Sequence, residues 1–273
     1  MTRLRHFLGA GGLALVLASV AGSAFAAPRV LSLDQCADQY VLALTPRSDI
    51  AGLSYRSDDA DSYLRVQAVG LRQRRATLEA VLASGAGVVV RYWGGDDLMA
   101  RRLAARGVRV VKIDDASDFD AVSTNLRRVS AALGRSAAGE ALIAGMEREI
   151  DGARGAWRGQ RAVYLTPGGF TAGPDTLVGA MIAGAGLHNG VAASGYSPLS
   201  LERLVSHPPD AFVLGFFDRA SLAGQRWSIG RHAALRSALK GRTIASLPAA
   251  ILGCPAWFAA DGARDLAAAR ARP

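Results

Sequence analysis

The segment TLEAVLASGAGVVV, residues 77–90, carries one glutamate near the start of an apolar helix pattern and then enters a β-rich run. The segment LSLERLVSHPPDAFVL, residues 199–214, repeats this order. A helix that leads directly into a strand of Val, Leu and Phe is typical of α/β proteins, in which helices cover a mainly parallel sheet. The repeated pattern therefore predicts two similar lobes, each of which presents one carboxylate, Glu79 or Glu202.

The alternation of strands and helices continues on both sides of these segments. Residues 30–113 predict four strands and three helices, residues 119–133 followed by 136–153 predict almost continuous helix, and strands return at Arg161. We therefore predict an α/β fold of two Rossmann-like lobes with central, mainly parallel sheets, joined by one long rigid helix, with a ligand cleft between the lobes. A single sheet with a long crossover is the alternative. The predicted segments are a signal peptide (1–26), an N-terminal α/β lobe (27–134), a bridging helix (135–158) and a C-terminal α/β lobe (159–273).

The N-terminus predicts export from the cytoplasm. Arg3 and Arg5 precede an apolar run that ends at Val20, and small residues follow up to Ala26. This is the pattern of a cleaved secretory signal, and the run is too short to span a bilayer. No cysteine stands at its end, so we expect a periplasmic protein without a lipid anchor. The formal charge of +9 comes from scattered arginines without a basic helix, which argues against a nucleic acid as partner.

Cysteine occurs at only two positions, Cys36 and Cys254. Each follows a predicted strand and would lie at a strand's carboxyl end, and an exported chain meets an oxidising compartment. A disulfide between them is the favoured interpretation. Two unlinked thiols and metal ligation are the alternatives, the latter weakened because two cysteines without a nearby histidine make a poor metal site.

Several short motifs carry a resemblance to a known family. They are RVLSL (29–33), LGR (133–135), AGLHN (185–189) and the two glutamate-bearing segments. The order and spacing of these motifs resemble those of the periplasmic substrate-binding proteins of ABC importers. Within that class, they resemble the group with a helical backbone that binds cobalamin, ferric siderophores or haem. The resemblance covers nearly the whole mature chain.

The resemblance implies a function and partners. It implies a monomer that closes only modestly on a small-molecule ligand, has no enzymatic activity and no cofactor of its own, and carries a metal chelate to a permease and ATPase complex at the inner membrane. Glu79 and Glu202 match the family's glutamates that face arginines of the permease. Complementary charges on a rigid body set register and association rate. The alternative interpretation is that each glutamate only favours the positive end of its helix.

The ligand-binding candidates are mostly aromatic and arginine residues in loops that follow predicted strands, where open α/β sheets bind ligands. Arginines would pair with an anionic siderophore or with haem propionates, whereas aromatic walls suit cobalamin. The residues alone do not decide between these ligands. The candidates are Tyr55, Arg56, Arg72, Arg91, Tyr92, Trp93, Tyr196, Phe216, Phe217 and Trp227.

Other function classes find little support. The Gly-rich stretch 167–173 lacks the Gly-Lys-Ser/Thr of a phosphate-binding loop, and there is no Gly-x-Ser-x-Gly elbow. A glycosidase would need Glu79 and Glu202 in one pocket. A binding protein for a bare metal ion, or a sensory solute-binding protein, is the remaining alternative. A metal-ion site needs several converging ligands, but the histidines occur singly and the aspartates at 58, 59 and 61 are interpreted as a polar loop.

Overall fold

Two parallel sheets, formed by different parts of the chain, make up the centre of the fold. The computed structural model describes residues 28–92, 94, 97–218 and 233–270, so the predicted signal peptide lies outside the described residues. The first sheet has the strand order β3-β2-β1-β4-β5 and the second β11-β10-β6-β8, with parallel neighbours throughout both. The predicted α/β class with mainly parallel sheets is confirmed.

The elements up to residue 132 belong to the first sheet and its covering helices. In chain order they are β1 (Val30–Ser32), α1 (Gln35–Leu44), a 3-10 turn (Arg47–Asp49), β2 (Ile50–Ser54), α2 (Arg65–Ala68), β3 (Gln73–Arg74), α3 (Leu78–Leu82), β4 (Val88–Tyr92), α4 (Asp97–Ala104), β5 (Arg109–Ile113) and α5 (Phe119–Ala132).

The remaining elements form the second sheet, its helices and a small ribbon. In chain order they are α6 (Ser136–Ala153), β6 (Arg161–Leu165), β7 (Phe170–Ala172), α7 (Leu177–Gly184), β8 (His188–Asn189), β9 (Tyr196–Pro198), α8 (Leu201–Ser206), β10 (Ala211–Gly215), α9 (Ala233–Leu239), β11 (Thr243–Leu247), α10 (Ala249–Leu252) and α11 (Ala259–Ala269).

The strand orders place a crevice at the carboxyl edge of each sheet. β1 lies between β2 and β4, and β6 lies between β10 and β8, so the chain turns to opposite sides after each of these central strands. Loops leaving the strands on the two sides diverge at such a point and open a ligand crevice. The antiparallel ribbon of β7 and β9 stands beside the second crevice as a feature that the sequence analysis did not predict.

The long helical segment consists of the two helices α5 and α6, which are separated at Gly134. Gly134 adopts a φ of +68°, the amide of Arg135 donates to the Ser130 carbonyl, and the Gly134 amide donates to the Ala131 carbonyl. These bonds form a Schellman motif, which ends α5 and reverses the chain. α6 then packs along α5, and Gly139 allows the close approach because a Cβ there would lie 2.2 Å from Ser130 Oγ.

The segment predicted as a bridging helix contains α6, with 18 residues and a length of about 27 Å. The helix ends at Ala153, earlier than residue 158, and residues 154–160 form the turn into β6. The division into lobes at these boundaries stays a prediction. In the described part of the chain, none of the helices combines the length and apolar character needed to cross a membrane.

One apolar core extends from the first sheet to the second. Tyr40 on α1, Ile143 on α6, Tyr164 on β6 and Phe258 before α11 are all fully or almost fully buried in the same cluster. The Tyr40 hydroxyl donates to the Pro255 carbonyl at 2.6 Å. The segment around α11 thus packs against helices that cover both sheets.

Candidate functional site

The first turn of α1 fixes the loop that follows β4. Asp34 caps this helix, since its Oδ1 accepts from the Ala37 amide at 2.8 Å. Its Oδ2 accepts from the Tyr92 amide at 2.7 Å, at the carboxyl end of β4. Burial raises the pKa of the Asp34 carboxyl, although the hydrogen bonds from Tyr92 and Ala37 act in the opposite direction.

A second carboxylate on the same turn fixes the loop that follows β2. Asp38 accepts hydrogen bonds from the Ser32 hydroxyl, from the Ser54 amide at 2.8 Å and from the Ser54 hydroxyl at 2.5 Å. Burial raises its pKa to about 6, and the serine hydrogen bonds limit that rise. Ser54 directly precedes Tyr55 and Arg56, so α1 anchors both N-terminal loops that carry ligand candidates.

The raised pKa of Asp38 predicts a pH-dependent stability. Because the folded pKa of about 6 lies above the unfolded value of 3.8, the Asp38 contribution is fully present below about pH 4 and is lost as pH rises through 6. The loss corresponds to about 3 kcal/mol. We expect Asp38→Asn to flatten the dependence of the unfolding free energy between pH 4 and 7, measured by urea denaturation. Asp58→Asn, on an exposed side chain, should keep the wild-type dependence; an unchanged profile in Asp38→Asn would contradict the assignment.

The aromatic candidate Tyr92 is hydrogen-bonded to a carboxylate at the end of the neighbouring strand. The Tyr92 hydroxyl donates to Asp115 Oδ1 at 2.7 Å, at the end of β5. Tyr196 belongs to β9 beside the second sheet and is 61% exposed. Partial burial raises the pKa of Tyr196, and the Asp115 carboxylate raises it further. Tyr92 and Asp115 thus form a hydrogen-bonded pair at the carboxyl edge of the first sheet, and Tyr196 presents an exposed ring on the ribbon.

The other aromatic candidates lie at strand ends with different exposure. Tyr55 is 63% exposed after β2, whereas Phe216 and Phe217 are half-buried after β10. Phe216 adopts a φ of +63°, which is rare for a bulky side chain and is typical of functional loops. The candidates Trp93 and Trp227 lie outside the described residues.

Sequence reasoning missed one exposed aromatic side chain. Phe170 begins β7 and is 47% exposed. It stands in the Gly-rich stretch 167–173, which was interpreted only as a turn. The neighbouring β9 carries Tyr196, so the ribbon presents aromatic rings on both of its strands. An aromatic residue within a Gly-rich turn was the available signal.

The arginine candidates are engaged within the protein or stand away from the strand ends. Arg56 pairs with Asp59 at 2.9 Å and with Asp61 at 3.4 Å. Arg91 is buried and contacts the Gly94 carbonyl and Asp97. Arg72 is exposed but precedes the edge strand β3 and does not follow a strand. Their role in ligand binding stays a prediction.

The two glutamates hold equivalent positions. Glu79 is exposed in the first turn of α3, where Thr77 caps the helix by accepting from the Ala80 amide. Glu202 is exposed in the first turn of α8. Each glutamate therefore stands on a helix that precedes a central or near-central strand of its own sheet, β4 or β10. Their role in docking stays a prediction.

The disulfide between Cys36 and Cys254 is confirmed, with Cα atoms 5.3 Å apart. The bond excludes the alternatives of unlinked thiols and of metal ligation by these cysteines. It joins the first turn of α1 to the segment before α11. Among the residues with described positions, there is no group of three or more His, Cys, Asp or Glu side chains that could hold a metal ion.

Sequence comparison relates the chain to proteins of known class. The sequence profile of the family described as "Periplasmic binding protein" matches residues 88–215. Proteins named "Cobalamin-binding protein" from two strains of Halobacterium salinarum are 29% identical over 206 residues, which cover 68% of this chain and 53% of theirs. The chain thus spans about half the length of these curated relatives.

Solved structures share the fold over nearly the whole chain. The periplasmic heme-binding protein HutB of Vibrio cholerae superposes with a TM-score of 0.73 at 18% identity, over 89% of this chain and 98% of its own. The periplasmic heme-binding protein RhuT from Roseiflexus sp. RS-1, in apo form, gives 0.67 at 23% identity, over 90% and 98%. At these identities the likeness establishes the fold. Residues 88–215 therefore match the family described as "Periplasmic binding protein", in agreement with the resemblance inferred from the sequence motifs.

Proposed function

We propose that this protein is the periplasmic solute-binding component of an ABC importer, and that it captures a metal chelate in the cleft between its lobes. The observation that carries the proposal is the set of aromatic side chains near strand ends, with Tyr92 hydrogen-bonded to Asp115 at 2.7 Å and Tyr196 exposed on the ribbon. The exposed aromatic rings near the carboxyl edges of both sheets offer flat apolar surfaces, and the tyrosine hydroxyls add polar groups to them. Such surfaces stack on large, rigid ligands.

The chemistry of the cleft suits a chelate better than a bare ion. Tyr55, Phe170 and Tyr196 are the exposed rings at the strand ends and ribbon. A bare ion needs converging oxygen, nitrogen or sulfur ligands, and the described residues offer no cluster of that kind. The cobalamin-binding name of the Halobacterium relatives supports a metal chelate as cargo. We infer that the protein binds its cargo without transforming it.

Delivery requires a surface for the membrane partner. Glu79 and Glu202 are exposed on separate helices, and the core and disulfide hold the two parts of the protein together. We infer that these carboxylates dock a monomer onto basic pockets of an inner-membrane permease, which works with an ATPase. The signal-peptide pattern of residues 1–26 supports a periplasmic location.

Fluorescence titration tests the proposed function. Purified mature protein is titrated with cyanocobalamin, haemin, several ferric siderophores and free divalent metal ions, while its intrinsic fluorescence is recorded. We expect stoichiometric quenching by one chelate class and none by free metals. Quenching by free metal ions alone would indicate a metal-ion binder, and chemical turnover of a chelate would indicate an enzyme; either result would overturn the proposal.

A further inference from the structure

We propose that Asp115 is a specificity-determining residue of the cleft, which selects chelates that present amide or hydroxyl donors at their rim and rejects chelates that present carboxylates there. This inference rests on the proposed function, because it assumes that the cleft binds a metal chelate. It goes further by naming the chemical class of the chelate and the residue that selects it.

Asp115 differs from its neighbour Asp114 in its ion pairs. Asp114 forms ion pairs with Lys112 at 2.9 Å and with Arg128. Asp115, one residue later and exposed, takes part in none of the ion pairs formed by the described residues. The two adjacent carboxylates thus have different surroundings. Asp114 is paired with two cationic side chains, whereas Asp115 is exposed at the end of β5.

The hydrogen bonds of Asp115 leave it acceptor capacity. Its Oδ1 accepts from the Tyr92 hydroxyl and from the Ala116 amide at 3.0 Å. Within the described part of the chain, no hydrogen bond reaches Oδ2. An ionised carboxylate has about four acceptor sites. The Tyr92 hydrogen bond holds the group in place, so the remaining oxygen is available to a donor on a ligand.

Asp115 also lies at the carboxyl edge of the first sheet, beside Tyr92 at the end of β4, where open α/β sheets bind ligands. A chelate bound at this edge would bring its rim against the carboxylate. A rim amide gains a charge-assisted hydrogen bond there, whereas a rim carboxylate meets a like charge.

The arginine candidates Arg56 and Arg91 are engaged within the protein. Arg56 is paired with two aspartates, and Arg91 is buried against Asp97 and a carbonyl. Their positive charges are largely compensated within the protein. The arginines of the sequence favoured an anionic chelate. Because these arginines are engaged within the protein, an uncharged chelate with peripheral amides, such as a corrinoid, fits the cleft better.

A matched pair of ligands and a matched pair of variants test the inference. The probes are cyanocobalamin and its monocarboxylic acids, in which one peripheral amide is replaced by a carboxylate, with haemin as an unrelated anionic chelate. Isothermal titration calorimetry measures their affinities for wild type, Asp115→Asn and Asp114→Asn. We expect wild type to bind cyanocobalamin about tenfold or more tightly than at least one monocarboxylic acid and than haemin. Asp115→Asn should reduce this ratio to about threefold or less, whereas Asp114→Asn should preserve it.

The outcomes separate the two proposals. If wild type binds none of these chelates and no siderophore, the proposed function and this inference both fail. If wild type binds an anionic chelate as tightly as cyanocobalamin, or if Asp115→Asn keeps the wild-type ratio, the inference fails while the proposed function stands. The inference is supported if Asp115→Asn, but not Asp114→Asn, loses the preference for cyanocobalamin over the carboxylate-bearing chelates while its thermal unfolding is unchanged.

Discussion

The double substitution Glu79→Arg and Glu202→Arg is expected to abolish uptake of the ligand while its affinity for the purified protein stays unchanged. Both side chains are exposed, and each stands in the first turn of a helix that covers its sheet. Neither side chain lies among the groups that surround Tyr92 and Asp115. Reversal of both charges would place like charges against basic pockets of the permease, which blocks docking more strongly than their removal would.

The measurement is uptake of labelled ligand by cells that lack the native protein and express each variant, together with calorimetric ligand titration of the purified variants. Asp120→Arg combined with Glu147→Arg is the matched control, because it changes the net charge equally at exposed side chains of α5 and α6. We expect the control to support near-normal uptake. Normal uptake by the Glu79 and Glu202 variant would refute the docking assignment.

Removal of the disulfide is expected to cost about 5 kcal/mol of unfolding free energy. Cys36 and Cys254 are separated by 218 residues, and the loop-closure model assigns a cross-link of this span a stabilisation of that size. The same change should weaken ligand binding, since the first turn of α1 carries Asp34 and Asp38, which anchor the loops after β4 and β2.

Guanidinium denaturation of wild type and of Cys36→Ser with Cys254→Ser measures the effect, with and without a reductant. Wild type should lose stability on reduction, and the double variant should be indifferent to the reductant. Ligand affinity is measured under the same conditions. Equal stability of the oxidised wild type and the double variant would show that the bond adds nothing to the fold.

Periodic patterns were sufficient to predict the general architecture. The apolar runs of β1, β4, β6 and β10 are buried in their sheets, and local propensity and burial agree there. The helical stretches predicted at 119–133 and 136–153 agree within one residue with α5 and α6, and the left-handed conformation of Gly134 separates them. The two-residue strands and the ribbon of β7 and β9 were missed because their pairing partners are distant in sequence.

The candidate site was less accessible to sequence reasoning than the fold. The pairing of Arg56 with Asp59 and Asp61 had a signal in the short spacing of these residues. The contact between Tyr92 and Asp115 had none, because neighbouring parallel strands bring their ends together irrespective of the intervening residues. The sequence pattern did not single out Asp38, which is fully buried among serine donors.

The core that runs through both sheets determines how the chain can fold. Tyr40 and Tyr63 make their contacts with Pro255 and Asp261 across sequence separations of 215 and 198 residues. Contacts of this range form late, because loop-closure entropy must be overcome before they stabilise the chain. Helix α1 therefore completes its packing only after the segment around α11 has folded against it. The two sheets, although separate in sequence, should gain and lose their structure in one cooperative transition.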